Sequence, residues 1–96
     1  MSTTMPVTHD AVGHRFALAT DDGPAVLRYE VRDGMLDLQH TNVPAPSEGQ
    51  GFGTALARAA LDYARSSGTK VIPSCPFVRA FLDDHPEYAD VVAIMP

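Results

Sequence analysis

The feature that most constrains this chain is a change of apolar period across a run of glycines. Up to Val43 apolar residues recur at about every second position, from Phe52 onward they recur at helical spacing, and Gly49-Gln50-Gly51-Phe52-Gly53 lies between. A strand that feeds a helix through glycines has a chemical consequence. Glycine takes positive φ readily and lets a ligand approach the backbone with no Cβ in the way. The first N–H groups of a helix have no internal acceptor, and the helix start carries about half a positive charge. Together these make an anion site suited to phosphate, with a glycine-rich turn that binds no ligand as the alternative. A Walker loop would need a lysine after its second glycine, and Gly53-Thr54-Ala55 has none. A dinucleotide fingerprint would need an early parallel unit with an acidic residue after the next strand; here a meander comes first and Ser74-Cys75 follows.

Upstream of the glycines, residues 12–20 alternate in part, with His14, Phe16 and Leu18 on one side. Asp21-Asp22-Gly23-Pro24 predicts a turn. Residues 25–32 alternate well, Ala25, Leu27, Tyr29 and Val31 inward against Arg28, Glu30 and Arg32. Asp33-Gly34 is a two-residue hairpin signal, and residues 35–43 continue as a third strand with Leu36, Leu38 and His40 sharing a face. Residues 44–48 break the sheet. The helix is predicted over residues 51–66, with Phe52, Ala55, Leu56, Ala59, Ala60 and Tyr63 inward, and Ser67-Gly68 ends it. Residues 69–74 form a short strand, parallel to the one before the helix. Pro76 opens a second helix over residues 77–84, with Val78, Phe81 and Leu82 inward, and Pro86 stops it. A last strand is predicted over residues 88–94, and Tyr29 and Tyr63 are assigned to the core. The fold class is therefore α/β: an antiparallel meander, a β-α-β crossover and a second helix, one domain over residues 11–96 behind a flexible tail of residues 1–10.

Ninety-six residues allow one core and not two. Seven Lys and Arg against twelve Asp and Glu leave a formal charge of −5, which argues against non-specific binding to nucleic acid. A polyanionic ligand is still admitted, because oriented backbone N–H groups bind phosphate without side-chain charge. Cys75 stands alone and cannot form an internal disulfide. With no apolar leader and no run of about 18 apolar residues, the chain reads as soluble, cytoplasmic, off the membrane, and a monomer or weak dimer. No His, Cys or Asp cluster has metal-ligand spacing, so no metal is expected.

The stretch from Val43-Pro44 to Gly49-Gln50-Gly51-Phe52-Gly53-Thr54-Ala55-Leu56 resembles the pyrophosphate loop of the GCN5-related N-acetyltransferases. With His40-Thr41-x-Val43-Pro44 before it and Cys75-x-x-Val78-x-x-Phe81 and Pro86-x-Tyr88 after it, the chain is similar to the small single-domain members of that superfamily over about residues 12–92. The resemblance implies a minimal acetyltransferase-like fold, acetyl-CoA or coenzyme A as cofactor, and transfer of an acetyl group to the amine of a small molecule or peptide. It implies that backbone amides of Gln50, Gly51, Phe52, Gly53 and Thr54 hold the pyrophosphate, and that the main chain of Thr41, Asn42 and Val43 pairs with the pantetheine arm. Two positions depart from the family pattern. Glu48 stands where Arg or Gln is usual, and one such charge at about 6 Å from a diphosphate costs about 1–3 kcal/mol at an effective dielectric of about 20–80. The superfamily's two N-terminal helices are also missing, since strand follows strand from Val12, so the acceptor site is expected to be open and shallow.

Cys75 precedes Pro76 at a helix start, where the macrodipole favours a thiolate, although a lone cysteine also serves as a small apolar filler. In larger family members a tyrosine on this helix protonates the departing thiolate; Leu82 occupies that place here. The resemblance to the small relatives puts Cys75 near the coenzyme sulfur, as acid or as transient acyl acceptor. His40 is the candidate general base, because imidazole exchanges protons near neutral pH, with a purely structural imidazole equally open. His14 and His85 are weaker candidates. Three readings stay open: acetyl transfer to an amine, a CoA-binding module without turnover, and thiol chemistry at Cys75 with some other phosphate in the loop.

Overall fold

Alternation over the first half of the chain produces a meander with one strand more than expected. The computed structural model describes residues 6–93. In it β1 (Thr8–Asp10), β2 (Arg15–Thr20), β3 (Gly23–Arg32) and β4 (Met35–Asn42) pair antiparallel in chain order. A crossover through α1 (Phe52–Ser67) returns the chain as β5 (Val71–Pro73), parallel to β4, and α2 (Pro76–Asp84) follows. Short 3-10 turns occupy Ala45–Ser47 and Pro86–Val91. The α/β reading of meander, crossover and second helix holds. The β3–β4 hairpin turns as Asp33-Gly34 predicts, both residues taking positive φ of 52° and 75°.

Both helices cover the same face of the sheet. Phe16, Leu18, Leu27, Tyr29, Leu36 and Leu38 are buried there. They meet Leu56, Ala57, Ala60, Leu61 and Ala64 of α1 and Val78 and Phe81 of α2. The alanines let α1 lie close on the sheet, and each fully buried leucine is worth about 1.5–3 kcal/mol. On the opposite face Arg28, Glu30, Arg32, His40 and Asn42 are exposed, and among the described residues no helix covers them. Among the described residues no helix is long and apolar enough to cross a membrane.

Four expectations give way. Of the tail assigned to residues 1–10, residues 1–5 lie outside the described residues, but Thr8–Asp10 is an edge strand. Its anchor is His9, which stacks on Phe16 at 4.2 Å, meets Tyr63 edge-on at 4.3 Å and shares a 2.6 Å hydrogen bond with the Tyr29 hydroxyl. The next strand starts at Arg15, because residues 11–14 turn, with the Gly13 N–H donating to Asp10 Oδ1 at 2.9 Å. The buried face of α1 is rotated towards Gly53, Ala57 and Ala64, and Tyr63 is 39% exposed at the rim of the His9 cluster. The strand expected over residues 88–94 is a 3-10 turn followed by one bridge, Val71 to Val92, with residue 94 outside the described range. The turn wins because it buries Tyr88, whose hydroxyl donates to Asp62 Oδ1 at 2.7 Å, while Arg65 reaches the Glu87 carbonyl at 2.7 Å.

Candidate functional site

The site begins with an irregularity in β4. Tyr29 pairs with Leu38 and Arg28 pairs with His40, so Gln39 is an extra residue, a bulge that shifts the alternation by one. Thr41 therefore turns inward opposite Leu27, and His40 turns outward opposite Arg28 on the uncovered face. This corrects the shared face assigned to Leu36, Leu38 and His40. Beyond the bulge β4 also loses its neighbour. Pairing with β5 ends at Leu38 and Pro73, and the last link is the Cys75 N–H donating to the Leu38 carbonyl at 2.8 Å. From there β4 follows β3 to Asn42 while the other chain turns into α2, which leaves a wedge between them.

The glycine loop closes the wide end of the wedge. Gly49 and Gly51 have φ of 83° and 87°, a conformation that costs any residue with a Cβ. Gly51 is the residue before α1, and no side chain caps that helix start. The first internal bond runs from the Ala55 N–H to the Gly51 carbonyl at 3.0 Å. Among the described residues the N–H groups of Phe52, Gly53 and Thr54 meet no protein acceptor, so three donors and the positive helix end face the cleft. The loop is braced from behind. Buried Ser47 donates to the Asp22 carboxylate at 2.7 Å and lies 3.2 Å from the Thr20 hydroxyl, which ties the loop to the β2–β3 turn.

The resulting cleft has a volume of about 570 Å³, within the usual range for a ligand site. Thr41 and Val43 form its strand side, residues 47–49 and 51–54 its loop and helix side, and Phe77 of α2 its far wall. Among the described residues Glu48 is the one charged residue that borders it, and it is exposed. An anion here would be held by main-chain dipoles.

At the narrow end Cys75 is 3% exposed, with Sγ 3.3 Å from the Thr41 hydroxyl. On the uncovered face beside it lies Asp37, 4% exposed. Burial alone would raise the Asp37 pKa, but the Ser74 hydroxyl at 2.5 Å, the Gln39 amide at 3.2 Å and the Arg32 guanidinium at 2.9 Å outweigh it, and the carboxyl is held below its usual range. Asp37 thereby fixes Ser74, the residue before Cys75.

Of the residues singled out in the sequence, Thr41, Val43, Gly51, Phe52, Gly53 and Thr54 border the cleft together. Gln50 lines a separate hollow of about 250 Å³ beside Thr20, Asp21 and Asp22, on the other flank of the loop. Asn42 pairs with Val26 and is exposed, Cys75 is buried at the wedge, and His40 faces away from the helices. Three structural residues escaped the sequence reading. Ser47 sits in a stretch legible only as a sheet breaker, Phe77 reads as one more apolar residue in a helix, and Asp37 reads as a solvent-facing strand position.

The molecule's likeness to known proteins agrees with this architecture. A family model described as GCN5-related N-acetyl-transferase matches residues 15–91. Protein NATD1 of Danio rerio is 33% identical over 95 residues, covering 94% of this chain and 86% of that protein. Protein NATD1 of Homo sapiens is 34% identical over 83 residues, covering 83% and 74%. The solution structure of a GCN5-like protein from Staphylococcus aureus superposes with a TM-score of 0.72 at 26% identity, over 99% of this chain and 94% of that one.

Proposed function

The chain belongs to the GCN5-related N-acetyltransferase family, and we propose that it binds coenzyme A at the head of α1 and passes an acetyl group from acetyl-CoA to an amine. The observation that carries this reading is the set of free N–H groups on Phe52, Gly53 and Thr54 beside a cleft that runs to an unpaired strand edge. Acetyl-CoA supplies a thioester, whose acetyl group moves to nitrogen as the C–S bond breaks. The three N–H groups, with the backbone at Gln50 and Gly51, hold the pyrophosphate without a cationic side chain. The main chain of Thr41, Asn42 and Val43 aligns the arm where β5 no longer pairs. The amine arrives across the uncovered sheet face, where His40 takes its proton. Cys75, hydrogen-bonded to Thr41, stands at the narrow end as proton source for the leaving thiolate. Most of the rate comes from holding amine and thioester together. The burial of Cys75 disfavours its use as an acyl acceptor.

A second reading, a coenzyme-binding module without turnover, is favoured by Leu82 in the place of the usual acid and by the same burial of Cys75. Calorimetric titration with CoA, acetyl-CoA and ATP, followed by thiol release over a panel of polyamines and peptides, tests both. Binding of CoA with thiol release that His40→Ala slows supports the transferase. Binding without release from any amine selects the module. A CoA dissociation constant above about 1 mM overturns both.

A further inference from the structure

We propose that Phe77 gives the cleft its preference for a ligand that carries a pantetheine arm over a nucleotide without one; the inference rests on the coenzyme reading above. Phe77 is an apolar side chain 42% exposed, and it faces the cleft. Its ring lies against the start of α1, so closely that a Cβ on Gly53 would come 2.8 Å from Cζ. Its place is set from the β4 side as well. The Cys75 N–H is bonded to Leu38, the Arg79 N–H to the Cys75 carbonyl at 3.0 Å, and Pro76 fixes the first residue of α2.

An arm leaving the free N–H groups for the Cys75 end runs between the open edge at Thr41 and the first turn of α2. Phe77 is the wall of that passage. The phosphates find only backbone dipoles, since among the described residues no lysine or arginine borders the cleft. A bare diphosphate nucleotide is therefore held weakly, and the selectivity comes from apolar contact along the arm.

The test compares dissociation constants for CoA and for ADP in the wild-type chain, Phe77→Ala and Phe77→Leu, with circular dichroism to verify folding. In the wild type CoA binds more tightly than ADP. Phe77→Ala lowers that preference by about tenfold or more, the scale of a lost apolar contact in a pocket, and Phe77→Leu keeps most of it. The proposal is overturned if the ratio of the two constants stays the same in Phe77→Ala, whether both affinities fall together or neither moves. Absence of CoA binding by the wild type itself would instead bring down the coenzyme reading, and this inference with it.

Discussion

Gly53 and Phe77 provide a quantitative check on the packing at the cleft, independent of any ligand. Gly53 is the second residue of α1 and lacks the positive φ of its neighbours Gly49 and Gly51, so alanine fits its backbone. In a helix alanine is favoured over glycine by about 0.5–1 kcal/mol. Against this, the new Cβ would stand 2.8, 3.1 and 3.3 Å from three carbons of the Phe77 ring, so a whole ring edge must move. Overpacking costs about 1–3 kcal/mol, and the lower half applies because a ring 42% exposed can swing towards solvent. Gly53→Ala alone should therefore destabilise by about 0.5–1 kcal/mol. With Phe77→Ala already in place the same change should stabilise by about 0.5–1 kcal/mol. The coupling between the two sites is then about 1–2 kcal/mol, measurable as a double-mutant cycle by urea unfolding. In a chain of this size that corresponds to a difference of about 4–16 °C in melting temperature. Additivity within about 0.5 kcal/mol would refute the contact.

Two further outcomes follow from burial and charge. Burial holds the His9 pKa below its ordinary 6.5, with the Asp10 carboxylate in partial opposition. The folded chain then binds that proton less readily than the unfolded chain, so the contribution is intact above 6.5 and is lost as pH falls. His9→Phe should lose less stability than the wild type between about pH 7.5 and about pH 5, and parallel urea midpoints for the two proteins would contradict this. Cys75, 3% exposed, should react with a disulfide reagent roughly a hundredfold or more slowly in the native chain than in urea, and rapid native labelling would show the thiol itself to be accessible.

Local chemistry made most of this architecture legible, and the exceptions share a cause. The Asp33-Gly34 hairpin, the glycine loop and the Gly68 stop are set by positive φ, which few residues tolerate, so the residue type alone announces the geometry. The strand at Thr8–Asp10 carries no comparable local mark. It exists because His9 finds Phe16, Tyr29 and Tyr63, partners up to 54 positions away, and no short window contains them. The rotated face of α1 has the same origin: alanines that read as weakly apolar, Ala57 and Ala64 among them, are buried once a sheet lies beneath them.

The bulge at Gln39 shows most plainly how the site was hidden. Nothing in Leu-Gln-His-Thr marks an inserted residue, and unbroken alternation would put His40 inward with Leu38. The insertion becomes necessary only when β4 must satisfy two neighbours at once. Leu36 and Leu38 have to face the helices while β5 is still paired; past that point Thr41 has to face inward, where its hydroxyl meets Cys75. Both facings differ by an odd number of residues from Leu38 to Thr41, which strict period two forbids and one extra residue permits. The same insertion moves His40 to the uncovered face, where it is exposed. A single added residue thus divides β4 into a half that builds the core and a half that serves the cleft.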